Sequence, residues 1–119
     1  MYSDRPPAPP PPLRIRRGTS ERLREALIGL SDGHASVVKH GEKSWASITF
    51  AGARHRLDLV FDGELAVEAG ELFIAALPEH EFAIPRHLVA DATVTAVDHR
   101  LAPAPRMAVT CELLLLRDA

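Results

Sequence analysis

Six histidines, an alternating run of arginine and aspartate and one cysteine are the groups in this chain with chemistry to offer. Arg54, Arg56 and Asp58 recur with period two, so on a β-strand they project from one side. With Trp45 and Thr49 from the strand before them they would set an arginine fork beside an indole, able to hold a small anionic or planar ligand. His99, on a later strand with its polar side turned the same way, would add a titratable ring to that candidate site. The commoner use of such residues is cross-strand charge pairing at an interface. His55, His87 and His99 are a second set that neighbouring strands could gather, although a histidine at a strand end is more often simply half exposed.

Other chemistry is thinly represented. The cluster Glu79, His80, Glu81 lacks the spacing that puts ligands on one helical face, and no His-Glu-x-x-His or Cys-x-x-Cys pattern occurs, so no metal is expected. Cys111 falls in the middle of an apolar strand face, where a thiol is ordinarily inert packing. There is no Gly-x-Ser-x-Gly, no phosphate loop and no dinucleotide fingerprint, hence no cofactor. The chain therefore reads as a binding or assembly module before it reads as an enzyme.

The elements that must position these residues follow from periodicity. Leu23, Ala26, Leu27 and Leu30 form an apolar stripe at i, i+3, i+4 and i+7, with Thr19 or Ser20 as cap and Asp32-Gly33 as stop. Period two then takes over. Ala46, Ile48 and Phe50 alternate with polar neighbours, as do Leu57, Leu59 and Phe61. Gly52-Ala53 between them suits a two-residue turn, pairing Phe50 with His55, Ile48 with Leu57 and Ala46 with Leu59, and setting Thr49 opposite Arg56 and Trp45 opposite Val60. A shorter strand over residues 35 to 39, turning at His40-Gly41, would precede this hairpin.

The stretch GELAVEAGELFIAAL, residues 63 to 77, fits either two strands or one helix by period. Its Ala, Leu and Glu content decides for a helix, with Asp62 as cap, Pro78 as stop and Leu65, Ala69, Leu72, Phe73 and Ala76 on one face. Gly70 inside it is tolerable if the helix must lie close to a sheet. Two longer strands end the chain. On the first, Ala90, Ala92, Val94 and Ala96 would face the core, with Asp91, Thr93, Thr95, Val97 and His99 opposite; on the second, Met107, Val109, Cys111, Leu113 and Leu115 would face it. The expected fold is α+β and two-layered: two helices on one face of a four- to five-stranded, mainly antiparallel sheet, in the order α-β(β)β-α-β-β, a loose duplication of a helix-plus-hairpin unit.

Two helices cover one side of such a sheet only. The other side would carry Trp45, Val60, Val97, Leu114 and Leu116 among polar residues, and the run Leu113 to Leu116 is apolar on both faces. A second copy of the chain, giving a homodimer, is the simplest cover; a proline-rich strap or a small ligand are the alternatives.

Residues 1 to 18 hold most of the ten prolines and read as an extended tail, leaving residues 19 to 119 as the single domain. The tail's Arg5, Arg14, Arg16 and Arg17 oppose only Asp4, so it carries +3 of a total of −2 and the remainder carries −5. Arg5 ahead of Pro6 and Pro9 has a superficial likeness to the ligands of SH3 domains, although a spacer or strap is the commoner role. The order helix, strands, helix over residues 19 to 77 also resembles double-stranded RNA-binding domains in topology. Those domains place lysines at the start of the second helix, where this chain has Asp62, Glu64, Glu68 and Glu71, so nucleic acid is not an expected partner. Apolar runs are too short to cross a bilayer, and with one cysteine the chain has no internal disulfide, which points to the cytoplasm.

Overall fold

The computed structural model describes residues 18 to 117; the basic proline-rich tail, up to residue 17, lies outside the described residues. The chain runs α1 (Thr19–Leu30), β1 (Ser36–Ala46), β2 (Ala51–Asp62), α2 (Glu64–Ala76), a short 3-10 turn (Leu77–Glu79), β3 (His87–Arg100) and β4 (Arg106–Arg117). The four strands form one antiparallel sheet in the order β1-β2-β4-β3, under two helices. The architecture is the expected two-layer α+β fold, with four strands. Its two halves, α1-β1-β2 and α2-β3-β4, each contribute one inner and one outer strand, so the duplication holds at the level of topology.

The core lies between the layers. Leu23 and Leu27 of α1, Leu57, Leu59 and Phe61 of β2, and Met107, Val109, Cys111, Leu113 and Leu115 of β4 are all buried there, on the faces the alternation assigns them. Asp32 and Gly33 end α1 in left-handed conformation, with the Gly33 N–H donating to the Ile28 carbonyl at 2.9 Å. β4, whose Leu113 to Leu116 are apolar on both faces, is an inner strand, hydrogen-bonded to β2 and to β3.

The first hairpin differs from the expected one. It turns at residues 47 to 50, where the Ser47 hydroxyl accepts the Phe50 N–H at 3.1 Å and the Ser47 N–H donates to the Phe50 carbonyl at 2.7 Å. The shorter strand and the hairpin strand merge into one long β1, with no turn at His40-Gly41. Pairing slides by eight residues: His40 stands opposite Leu57 where the pattern gives Ile48, and Glu42 stands opposite His55 where it gives Phe50. Gly52 explains why. It is needed inside β2, where an added Cβ would collide with the backbone carbonyl of Leu115, and so it is not a turn residue.

Helix α2 is a helix as propensity indicates, but it starts after Gly63, which has φ of 100°, and has no side-chain cap from Asp62. Its buried face is Ala66, Val67, Gly70 and Phe73, one residue round from the expected face, which leaves Leu65 and Leu72 outside. Gly70 sets the rotation: a Cβ there would run into the Phe61 ring and the Met107 methyl, so this residue alone permits the close approach.

Register irregularities fall on the two edge strands, between Val37 and Lys39 on β1 and between Val89 and Asp91 and Val94 and Ala96 on β3. Bulges on edges hinder further strand addition, and they also move side chains across the sheet. Val97 pairs with Val109 and His99 with Met107, so both take the helix-covered side of the register, contrary to expectation, while Ala96 pairs with Thr110 on the open side.

Candidate functional site

The sequence-expected site residues separate. Arg54, Arg56, Asp58 and Val60 do share the open side of β2. Their neighbours on β1 are Lys43, Gly41, Lys39 and Ser36, so Trp45 sits opposite Gly52 and Thr49 is in the hairpin turn, away from Arg56. His99 is far along the sheet from Arg54, which pairs with Leu114. Asp58 accepts a 2.8 Å hydrogen bond from the Thr110 hydroxyl. Lys43 and Arg54, two cations, stand directly opposite each other, an arrangement that destabilises a strand pair unless an anion joins it.

At one end of this open side the residues are apolar. Trp45, Leu116 and Leu88 fall on a single rung across β1, β4 and β3, with side-chain-free Gly52 between the first two. Leu114 lies on the next rung. Val60 and Leu116 are already buried within the chain, Trp45 and Leu114 are half-buried, and Leu88 is 59% exposed. The hairpin tip at the same end adds Ile48, fully exposed, and Phe50, 51% exposed.

The slide of β1 builds a second constellation on the helix side. An Arg24 guanidinium N–H donates to His40 Nδ1 at 2.9 Å, and His40 Nε2 lies 2.9 Å from His55 Nδ1. Arginine has no acceptor, so His40 Nδ1 must be the unprotonated nitrogen and Nε2 must carry the proton. His55 Nδ1 then accepts, and its Nε2–H is directed to the Glu42 carboxylate, 3.7 Å away. The Ser20 hydroxyl donates to the same Glu42 oxygen at 3.2 Å. One arginine thus fixes the tautomers of two imidazoles in series.

His55 is 1% exposed and His40 partly buried. Desolvation holds the pKa of both rings below the ordinary imidazole value; for His40 the His55 and Arg24 charges add to this, whereas for His55 the Glu42 carboxylate opposes it. Both rings are neutral at neutral pH, the state the hydrogen-bond chain requires.

His55 also lines a polar cleft of about 150 Å³ with Thr19, Glu42, His87 and Arg117. His87 Nδ1–H donates to the Pro85 carbonyl at 2.9 Å, leaving Nε2 to face the Thr19 hydroxyl at 3.4 Å. His55 and His87 of the expected histidine set do meet, then, and His99 does not. His40, Glu42 and Arg24 were not singled out in the sequence, because their roles depend on the register of β1. Among the described residues, no group of three histidine, cysteine or carboxylate side chains is placed to hold a metal ion.

The open sheet face, its apolar end and this histidine chain are features of a two-layer α+β fold, and the fold has known counterparts. It is similar to a chain of the virion of native gene transfer agent (GTA) particle, with a TM-score of 0.53 and 15% identity over 86% of this chain and 94% of that one. A more distant likeness, with a TM-score of 0.39 and 13% identity over 76% of this chain and 63% of the other, is to the type 4 fimbrial biogenesis protein PilO from Pseudomonas aeruginosa. At 15% identity the likeness to the gene transfer agent chain is one of fold. No protein-family model and no curated protein matches the sequence. Among the described residues no helix is long and apolar enough to cross a membrane.

Proposed function

We propose that this protein is a non-enzymatic assembly module that self-associates through the open side of its sheet, in its simplest form as a cytoplasmic homodimer. The observation that carries the reading is the apolar end of that side, where the rung of Trp45, Leu116 and Leu88 continues into Phe50 and Ile48 of the hairpin tip. Single exposed leucines are ordinary on a monomer, but Leu88, Ile48 and Phe50 exposed at one end of the sheet, beside a half-buried Trp45, are the kind of patch that marks an interface. A fold counterpart within a gene transfer agent particle agrees with an assembly role. The one cysteine, buried and unpaired, suits a reducing compartment.

Light scattering on the eluted protein over a range of concentrations tests this. Association to at least a dimer is expected, and Leu88→Glu should lower the mass. A wild-type chain that is monomeric at every concentration would sink the reading.

The opposed Lys43 and Arg54 support a second reading, a small anion bound between them on the open face. Trp45 fluorescence titrated with phosphate and citrate should then saturate, and a flat response across both removes it.

A further inference from the structure

On the opposite layer lies an apolar surface that no other element among the described residues covers. Because α2 is rotated to bury Gly70, its Leu65 and Leu72 stand 71% and 72% exposed. Between them and the C-terminal end of α1 is a groove of about 290 Å³ lined by Leu30, Leu65, Ala69 and Leu72. For scale, a cavity of about 150 Å³ accommodates benzene. The polar rim of the groove is mainly acidic: Asp32 and Glu68 line it with Ser31 and His34, and Glu64 and Glu71 are exposed on the same helix as Glu68. Two such grooves brought together would face carboxylate with carboxylate. The occupant must be apolar at its tip and cationic behind.

The hairpin of β1 and β2 has that chemistry. Residues 44 to 53 carry no formally charged side chain, and Ile48 and Phe50 project from the turn. The first charges met on going back along the two strands are Lys43 and Arg54, which stand opposite each other; among the described residues neither has an ion pair or a hydrogen bond from its side chain. Like charges in that position cost the sheet stability, and carboxylates brought by another molecule would reverse the sign. One surface of the chain is thus complementary to another surface of the same chain, in shape class and in charge.

We infer that the β1–β2 hairpin of one copy seats in the α1–α2 groove of the next, Ile48 and Phe50 entering between Leu30, Leu65 and Leu72 while Lys43 and Arg54 approach the acidic rim. This rests on the self-association reading and gives it a second contact, different in kind from a two-fold pairing of open faces. A contact between unlike surfaces is heterologous, so each joined pair keeps one free hairpin and one free groove, and growth continues into a ring or a chain.

The signature of unlike surfaces is rescue by mixing. Two variants are made in the full chain: a tip variant, Ile48→Glu with Phe50→Glu, and a groove variant, Leu65→Glu with Leu72→Glu. All four residues are exposed, so folding is preserved, which circular dichroism checks. Sedimentation velocity of the wild type should show mass rising with concentration beyond a dimer, and neither variant alone should show it. Their mixture should regain association, at roughly twice the mass of either variant alone or more, because one supplies an intact groove and the other an intact tip. If the mixture gains nothing, or if the groove variant grows like the wild type, the contact is wrong even where a Leu88-dependent dimer persists. A wild type that never exceeds a monomer overturns this contact and the self-association reading together. Replacing Arg14, Arg16 and Arg17 by glutamate should leave the masses unchanged; a change would assign the groove to the chain's own residues 1 to 17 and overturn the proposal.

Discussion

His40 Nε2 lies 2.9 Å from His55 Nδ1, and the proton between them is assigned by a third residue, because Arg24 donates to the far nitrogen of His40. Two imidazoles at hydrogen-bond distance would otherwise have two equivalent orientations. Here the direction runs from the guanidinium through both rings to the Glu42 carboxylate.

His40→Ala removes the middle of that chain and leaves His55 Nδ1, in a side chain 1% exposed, without its donor. Such a loss costs about 1–3 kcal/mol, read as a lower urea midpoint with unchanged slope. Converting both rings to leucine should cost less than the two single changes combined, since no buried imidazole nitrogen is then stranded. A double-mutant cycle gives the coupling directly, and an additive result would mean that the two rings do not interact.

Stability should also depend on pH in a definite window. His40 and His55 have pKa values below the ordinary 6.5 in the folded protein, so the unfolded chain binds protons more readily. Their contribution is complete above pH 6.5 and is lost as pH falls below it and through the lowered folded values. Unfolding free energies measured stepwise downward from pH 8 should start to drop near pH 6.5. The double leucine variant should lose that part of the drop.

Three glycines should respond to alanine in opposite directions. Gly29, exposed in α1 with open space where a Cβ would go, should gain about 0.5–1 kcal/mol from the better helix former. Gly70→Ala should destabilise, because the new methyl meets the Phe61 ring and Met107 and overpacking costs about 1–3 kcal/mol. Gly52→Ala should be the most damaging of the three, since its neighbour is the backbone of Leu115, which cannot swing aside as a methionine can. Thermal denaturation of the three variants should rank them in that order.

Cys111 is fully buried and its thiol is pushed up to about 12 by desolvation, with Asp58 and Glu112 adding to the shift. Thiolate is the reactive form, so alkylation by iodoacetamide at pH 8 should be negligible in the native protein and rapid in urea. Appreciable labelling without denaturant would mean that β4 opens locally.

The amino-acid pattern on its own determined a good deal of this protein. The stripe of Leu23, Leu27 and Leu30, the alternation of Met107 through Leu115 and the Ala, Leu and Glu content of residues 64 to 76 specify two helices and an antiparallel sheet. These are signals of local period and propensity, present before any packing. Tertiary structure decided which residues meet. Gly52 reads locally as a turn, but the Leu115 carbonyl claims it for the interior of β2, and the pairing of β1 moves by eight residues as a result. Gly70 reads as a minor defect, yet its contact with Phe61 and Met107 sets the rotation of α2 and puts Leu65 and Leu72 outside. The bulges of β3 likewise carry Val97 and His99 across to the helix-covered register. A glycine's meaning depends on what approaches the space its missing side chain leaves, and that neighbour comes from a distant part of the chain. For the same reason the His40–His55 pair could be found only once the strands had been laid side by side.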